Sequence, residues 1–289
     1  MSRDIERSKL PFKSTPERTS KPPSKTSDPF TEYAGQTVIP GAPKDEHGNP
    51  EGTEFDLAKD DAFDGMKVVV LQFYTGEGFD FEKPRAALEQ KGFTVVRHTS
   101  APNPDALAAE LADASQLWVI SGERSNLSEL HISLIRDFFD DGKGVYIWGD
   151  NDPYYVDANL VGQALLGSTM HGNSPGNKVL HEANYGGSGF VQHQITTGLE
   201  FLYEGHTIAA IEDPSERLVP IMRGSDGHIV TACFDRDGKR ALIDGGFTRL
   251  YVNWDDAGTA RFVKNAAAWL VNWGSRKGKQ KWMPGSHPD

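Results

Sequence analysis

The sequence predicts an α/β domain: a doubly wound, mostly parallel sheet with helices on both faces. Three observations predict it. Four apolar, β-branched or aromatic runs recur between residues 66 and 148. Each is near-continuously apolar rather than alternating, as in strands covered on both faces. Helix-length stretches separate them, and strand–helix alternation over about 100 residues demands right-handed parallel crossovers.

The elements follow in order. Lys67-Val-Val-Val-Leu-Gln72 is the first strand, with Phe73 to Gly78 as the loop at its C-terminal end. Glu82 to Lys91 is a helix; Pro84 is tolerated in its first turn and Gly92 stops it. Phe93 to Arg97 is strand two, Pro104 to Asp113 an Ala/Leu-rich helix, and Gln116 to Ile120 strand three. Ser128 caps a helix through Asp140 that turns Leu130, Leu134, Ile135 and Phe138 to one side. Gly144 to Trp148 is strand four. It runs into an abrupt turn, Gly149-Asp-Asn-Asp152, and then a helix to about Leu166. Gly167 to Gly189, rich in glycine, reads as a long loop with a short strand at Lys178 to His181. Strands are expected at Glu204 to Ile211, Leu218 to Met222, His228 to Phe234 and Arg240 to Asp244, the last two joined by an Asp235-Arg-Asp-Gly238 turn. Ala257 to Trp273 is a final amphipathic helix.

Three parts are expected. Residues 1–64 form a disordered or extended arm, residues 65–274 the α/β domain, and residues 275–289 a basic tail. The arm is rich in Ser, Thr, Pro and Lys and shows no hydrophobic period. Its one island is Pro29 to Tyr33 followed by Thr37 to Pro40. Residues 1–26 carry a net charge of +4 and residues 275–289 a net +3, whereas the whole chain carries −11. Such ends are either solubilising or docking arms for an acidic partner or a second copy. The acidic balance argues against nucleic acid as a partner. No run reaches the roughly 18 apolar residues of a membrane span, and no signal peptide is read at the N-terminus. The single cysteine, Cys233, excludes an internal disulfide and a multi-thiolate metal site. A cytoplasmic location is expected, with no metal and no cofactor.

From residue 66 to 273 the order resembles the class I glutamine amidotransferase-like fold, a flavodoxin-like group that includes the ThuA-like proteins. Ser121-Gly122 sits where that group has a loop whose amide binds an oxyanion. Gly144 to Asp152 sits where it has a nucleophile elbow. His193-Gln-Ile-Thr-Thr-Gly-Leu199 is similar to the His-Pro-Ile-Thr-x-Gly-Leu phrase of ThuA-like sequences. The departures bear on activity. A glutaminase needs an elbow thiolate and a histidine to activate it. Here the elbow offers Asp150 or Asn151, and the late strand exits through Ile243-Asp-Gly-Gly-Phe247 without a histidine. Glutamine hydrolysis is not expected.

The candidate site residues follow from this crest. Asp150, with His193, is the candidate acid/base pair. Ser121, Gly122, Asn151, Asp152, His171, His181 and Asp244 are candidate ligand-binding residues. Asp150 and Asp152 are alternatively caps for the following helix, the histidines alternatively structural, and Asp244-Gly-Gly246 alternatively a turn with glycines at positive φ. Gly186 to Gly189 reads as a turn or lid rather than a phosphate loop. The leading expectation is a binding or assembly subunit that contacts a protein partner or another copy through residues 1–64. The alternative is a hydrolase on a small polar or sugar-like substrate around Asp150.

Overall fold

The computed structural model describes residues 42–183, 187–255 and 257–273. The basic N-terminal stretch, its Pro29 to Pro40 island and the basic C-terminal tail lie outside these residues.

Five helices and twelve strands follow in chain order among the described residues. They are β1 (Met66–Gln72), α1 (Glu82–Gln90), β2 (Phe93–His98), α2 (Pro104–Ala112), β3 (Ala114–Ile120), α3 (Glu129–Asp140), β4 (Gly144–Trp148) and α4 (Val156–Leu166). Then come β5 (Thr169–Pro175), β6 (Val179–His181), β7 (Gly189–Phe190), β8 (Phe201–Tyr203), β9 (Thr207–Glu212), β10 (Val219–Arg223), β11 (Ile229–Arg236), β12 (Lys239–Asp244) and α5 (Thr259–Leu270). The main sheet has eight strands in the order β2-β1-β3-β4-β12-β11-β10-β7. β2 through β12 in that order are parallel, and the last three are antiparallel.

Alternation along each strand splits the apolar residues between two cores. Val68, Val70, Trp118, Tyr146 and Trp148 face α1 and α5, against Leu88, Phe262, Val263 and Ala266. Val69, Leu71, Leu117, Val119, Val145 and Ile147 face α2, α3 and α4, against Leu107, Ile135 and Val161. Both faces are therefore covered, which is why these strands read as continuous apolar runs. The chain leaves β1 toward β2 on one side and continues from β3 on the other. In such sheets ligands bind in the crevice above the C-terminal ends of the strands.

Two expectations are corrected. Residues 167–189 hold more than a loop with one short strand: the expected strand is β6, paired antiparallel with β8, and β5 before it pairs antiparallel with β9. The glycines hid the strand period, and Gly172 sits at positive φ in the stretch where the β5–β9 register shifts. The second correction is to the arm. Residues 42–64 are packed on the domain, with Phe55, Leu57, Ala58 and Phe63 buried and Phe63 stacked on Phe93 at 4.8 Å between ring centroids. Their partners lie far along the chain and the segment is irregular, so no period marks it.

A buried charge cluster clasps this segment. Asp56, fully buried, sits 2.9 Å from Lys91 Nζ, 2.6 Å from Lys264 Nζ and 2.9 Å from Arg261 Nε. The two ammonium groups approach Oδ2 as ion pairs outside hydrogen-bond alignment, while Arg261 Nε donates to Oδ1. Asn265, also buried, accepts from Leu57 N at 2.7 Å and donates to Thr197 O at 2.8 Å. Removing one partner of a buried ionic group leaves uncompensated charge, at about 3–5 kcal/mol. Asp56→Ala is expected to lower the urea unfolding free energy by about that amount. A loss below about 1 kcal/mol, the range of exposed ion pairs, would show that the cluster does not hold the segment.

Candidate functional site

A cavity of about 220 Å³ opens at the crest of the sheet, above the C-terminal ends of β1, β4 and β12. Four aromatic side chains form its walls: Tyr74 from the β1 loop, Tyr154 from the elbow, and Phe247 and Tyr251 from the β12 exit. Tyr74 is their centre. Its ring lies 5.3 Å from Tyr154 at 86°, 4.9 Å from Phe247 and 6.1 Å from Tyr251. Asp150, Asn151, Thr207 and Thr248 supply polar groups, and Glu77 and His206 complete the lining.

Asp150 is the buried anion of the cavity, at 1 % exposure. Its Oδ1 accepts from the Thr207 hydroxyl and from Asn151 N (2.7 Å), and its Oδ2 accepts from Thr248 N at 3.1 Å. Burial pushes the carboxyl up to about 6, against the pull of these hydrogen bonds. No residue from 149 to 152 has positive φ, so the turn lacks the strained left-handed position that perches a nucleophile over its helix. Instead Asp150 N donates to Tyr154 O and Tyr154 N to Asn151 O, around a cis Asp152–Pro153 peptide. The helix expected from the elbow starts only at Val156. Neither Asp150 nor Asp152 caps it; Asp152 accepts from the Tyr155 hydroxyl at 3.0 Å.

Each wall is fixed from behind. The Gln72 side chain donates to Tyr74 O (2.8 Å) and Phe79 O (3.0 Å) and accepts from Arg97 Nε at 2.7 Å, which shapes the β1 loop. Gly149 N donates to Asp244 O and Phe247 N to Gly149 O, which zips the β4 and β12 exits together. Asp244 and Arg249, both fully buried, pair at 3.1 Å. Arg249 also donates to Glu204 O at 2.8 Å and Gly246 O at 3.1 Å. Gly245 and Gly246 are needed for close approach, not for positive φ: a Cβ would lie 2.3 Å from Ala209 O and 2.4 Å from Glu204 O.

The expected site residues separate into two groups. Asp150 and Asn151 line the cavity, and Asp244 lies under it, bonded to Arg249, Thr231 (3.0 Å) and Tyr146 (3.3 Å). Ser121 and Gly122 hold the framework. The Ser121 hydroxyl accepts from Asp157 N at 3.0 Å, and a Cβ on Gly122 would lie 3.0 Å from Phe73 O. The other group is dispersed. His171, exposed in β5, pairs with Glu212 at 3.3 Å; His181, exposed, contacts Glu182 O at 2.5 Å. His193 does not reach Asp150. It stands beside Arg240 and Asp235, at the foot of β12, and packs edge-on against Trp269 at 5.5 Å. Its Nδ1 accepts from Ile195 N, and burial pushes its pKa down to about 4. The His193 to Leu199 phrase is a structural turn: Ile195 is in the core, and Gly198 at φ 70° lies against Phe55, where a Cβ would come within 2.3 Å of its carbonyl. Gly186 lies outside the described residues, and Gly189 begins β7. Among the described residues no group of three or more His, Cys, Asp or Glu could hold a metal ion, and no helix is long and apolar enough to cross a membrane.

The cavity residues that sequence reasoning missed are Tyr74, Glu77, Tyr154, His206, Thr207, Phe247, Thr248, Tyr251 and Val252. They come from separate loops, and only the positions of the loops after β1, β4 and β12 signalled some of them.

No family model matches the chain, and no curated protein matches it in sequence. In structure it is similar to a ThuA-like protein from Bacteroides uniformis, with a TM-score of 0.50 at 10 % identity over 71 % of this chain and 91 % of that one. The fold is class I glutamine amidotransferase-like. Weaker likenesses run to a GMP synthase component from Thermoplasma acidophilum (TM-score 0.45, 11 % identity, 75 % and 98 % covered). Another is the glutaminase domain of Trypanosoma brucei CTP synthase (0.37, 10 %, 70 % and 93 %). The elbow of this chain carries Asp150 and Asn151 and no cysteine. The chain's one cysteine, Cys233, is buried in β11, and burial pushes that thiol up to about 12.

The raised carboxyl of Asp150 has a measurable sign. A carboxyl whose folded pKa exceeds its unfolded value contributes stability that is present below the unfolded pKa and lost as pH rises through the folded one. For Asp150 that window runs from 3.8 to about 6, and the loss is roughly 3 kcal/mol. Asp150→Asn removes this slope. The stability of the variant relative to the wild type is therefore expected to rise by roughly that amount between about pH 4 and pH 7 in chemical denaturation. A difference independent of pH would overturn the assignment.

Proposed function

We propose that the chain is a non-glutaminase binding subunit on an amidotransferase-like scaffold, with the crest cavity as its ligand pocket. The observation that carries this reading is the elbow. Its central residue is a carboxylate turned inward and held by three protein donors, not a nucleophile presented outward. A thiolate route is further disfavoured by the burial of Cys233. The aromatic walls and a few convergent polar groups have the composition of a small-molecule pocket.

The pocket is tested by solution NMR of the full chain against a mixed set of small solutes: a hexose, a polyol, a carboxylate and an alkylammonium. At least one is expected to shift resonances of Tyr74, Tyr154 and Tyr251 saturably. If none perturbs them, the crest is not a ligand pocket.

The basic stretch at residues 1–26, net +4 in a chain of net −11, supports a docking role for the N-terminal end toward an acidic partner or the body of a second copy. Light scattering at low and high salt tests the second of these. The full chain is expected to show a salt-sensitive higher mass that is lost when residues 1–41 are deleted. The same oligomeric state for the two proteins would remove docking of this stretch on a second copy and leave only a foreign partner.

A hydrolase reading ranks second. It is favoured by one observation, an Asp150 carboxyl at about 6, suited to proton transfer near neutral pH. The protein donors that both its oxygens already accept from count against it. Turnover of a hydrolysable sugar or ester that is abolished in Asp150→Asn would promote it over the binding reading.

A further inference from the structure

Asp150 and Asp244 are buried carboxylates on adjoining strand exits, and they are treated differently. Asp244 has Arg249 at 3.1 Å. Asp150 takes part in no ion pair among the described residues; its three donors are two backbone amides and a hydroxyl. A buried carboxylate is stabilised by an opposite charge, and neutral donors supply only part of that. The difference falls where the cavity is: Asp244 is sealed beneath it, whereas Asp150 lines it.

Of the other lining residues Glu77 carries the same sign, and His206 is the one imidazole among otherwise uncharged side chains. Glu77 stands at the rim in a left-handed conformation, φ 54°, and accepts from the Tyr251 hydroxyl at 3.2 Å. A non-glycine residue is seldom held there, and such positions recur at binding sites. No Lys or Arg lines the cavity. The Tyr154 ring stands at 86° to Tyr74 and the Tyr251 ring at 26° to it, so the walls enclose a corner rather than a flat plate. Ring faces carry negative potential and attract cations, most of all when water is excluded. An anionic ligand would meet two carboxylates and no Lys or Arg. A neutral sugar would use the aromatic faces but leave Asp150 without an ion partner.

We propose that the crest cavity binds a small organic cation of the methylated-ammonium class, held against Tyr74, Tyr154 and Tyr251 with Asp150 and Glu77 as counter-charges. The proposal rests on the pocket reading above and names its ligand class. The cation would occupy the place at Asp150 that Arg249 occupies at Asp244.

Choline is the probe, measured by calorimetry on the full chain beside its neutral isostere, in which carbon replaces the quaternary nitrogen. Shape and apolar area are then equal, and only the charge differs. Choline is expected to bind at least about tenfold more tightly than the isostere. Glu77→Gln, at an exposed position, is expected to weaken choline several-fold with little effect on the isostere, and Tyr251→Leu to weaken both. Circular dichroism of each variant checks that it folds. Equal affinity for choline and the isostere overturns the cation class and leaves the pocket standing. So does the absence of choline binding when the hexose or polyol still shifts the tyrosine resonances. If no solute of any class shifts them, the pocket reading and this inference fall together.

Discussion

The fixed point of the crest is the buried pair of Asp244 and Arg249. The guanidinium holds three things at once: the Asp244 carboxylate at the end of β12, the Gly246 carbonyl of its exit turn, and the Glu204 carbonyl of the segment before β9. Thr231 and Tyr146 donate to the same carboxylate, so the pair also ties β11 and β4 into the node. Burial alone pushes the Asp244 carboxyl up, and Arg249 pulls it back toward ionisation. A buried ion pair of this kind contributes little net stability compared with an apolar replacement. What it contributes here is position. It sets the turn from which Thr248 N meets Asp150 and from which Phe247 and Tyr251 reach Tyr74.

The elbow is the complementary case. In open sheets of this kind the strand exits are where ligands bind, and the turn after β4 is framed from both sides. Ser121 ties the β3 exit to the first turn of α4, and Gly122 permits close approach of Phe73. Asp150 points into a web of donors, and no residue from 149 to 152 lies in the left-handed region. Its side chain forms part of the cavity lining.

What the sequence made legible follows from how regular each contribution is. The runs at Val68 to Leu71 and Val145 to Trp148 announced themselves because strands buried on both faces must be apolar at every position. Asp150 and Asp244 were legible because strand exits in such sheets converge on one crest. The walls were not. Tyr74, Tyr154 and Tyr251 are separated by scores of residues and lie on turns with no period, so only the folded sheet brings them together. Phe55, Leu57 and Phe63 escaped for the same reason. A segment that docks in irregular form on α1 and α5 leaves no pattern of its own, and its one sharp signal, Asp56, has its cations far along the chain. The His193 phrase carried part of the resemblance to ThuA-like sequences, and in the fold its residues close a short turn against α5 and the docked segment, away from the cavity.

Anchoring of the walls bears on how the cavity works. The Tyr74 loop is held by Gln72 and Arg97, the Tyr154 turn by its own backbone bonds, and the Tyr251 segment by Arg249. These anchors share no side chain, and each fixes its wall before any ligand arrives. Binding to a site built this way does not have to order a loop, which removes one of the larger entropic costs of association. Selectivity must then come from fixed shape and fixed charge rather than from closure around a ligand. In a cavity of about 220 Å³ with four aromatic walls and no Lys or Arg, charge is the discriminating property. Asp150 is the one buried carboxylate in its lining, so on the proposed reading specificity turns on that side chain rather than on the glycine-rich loops around it.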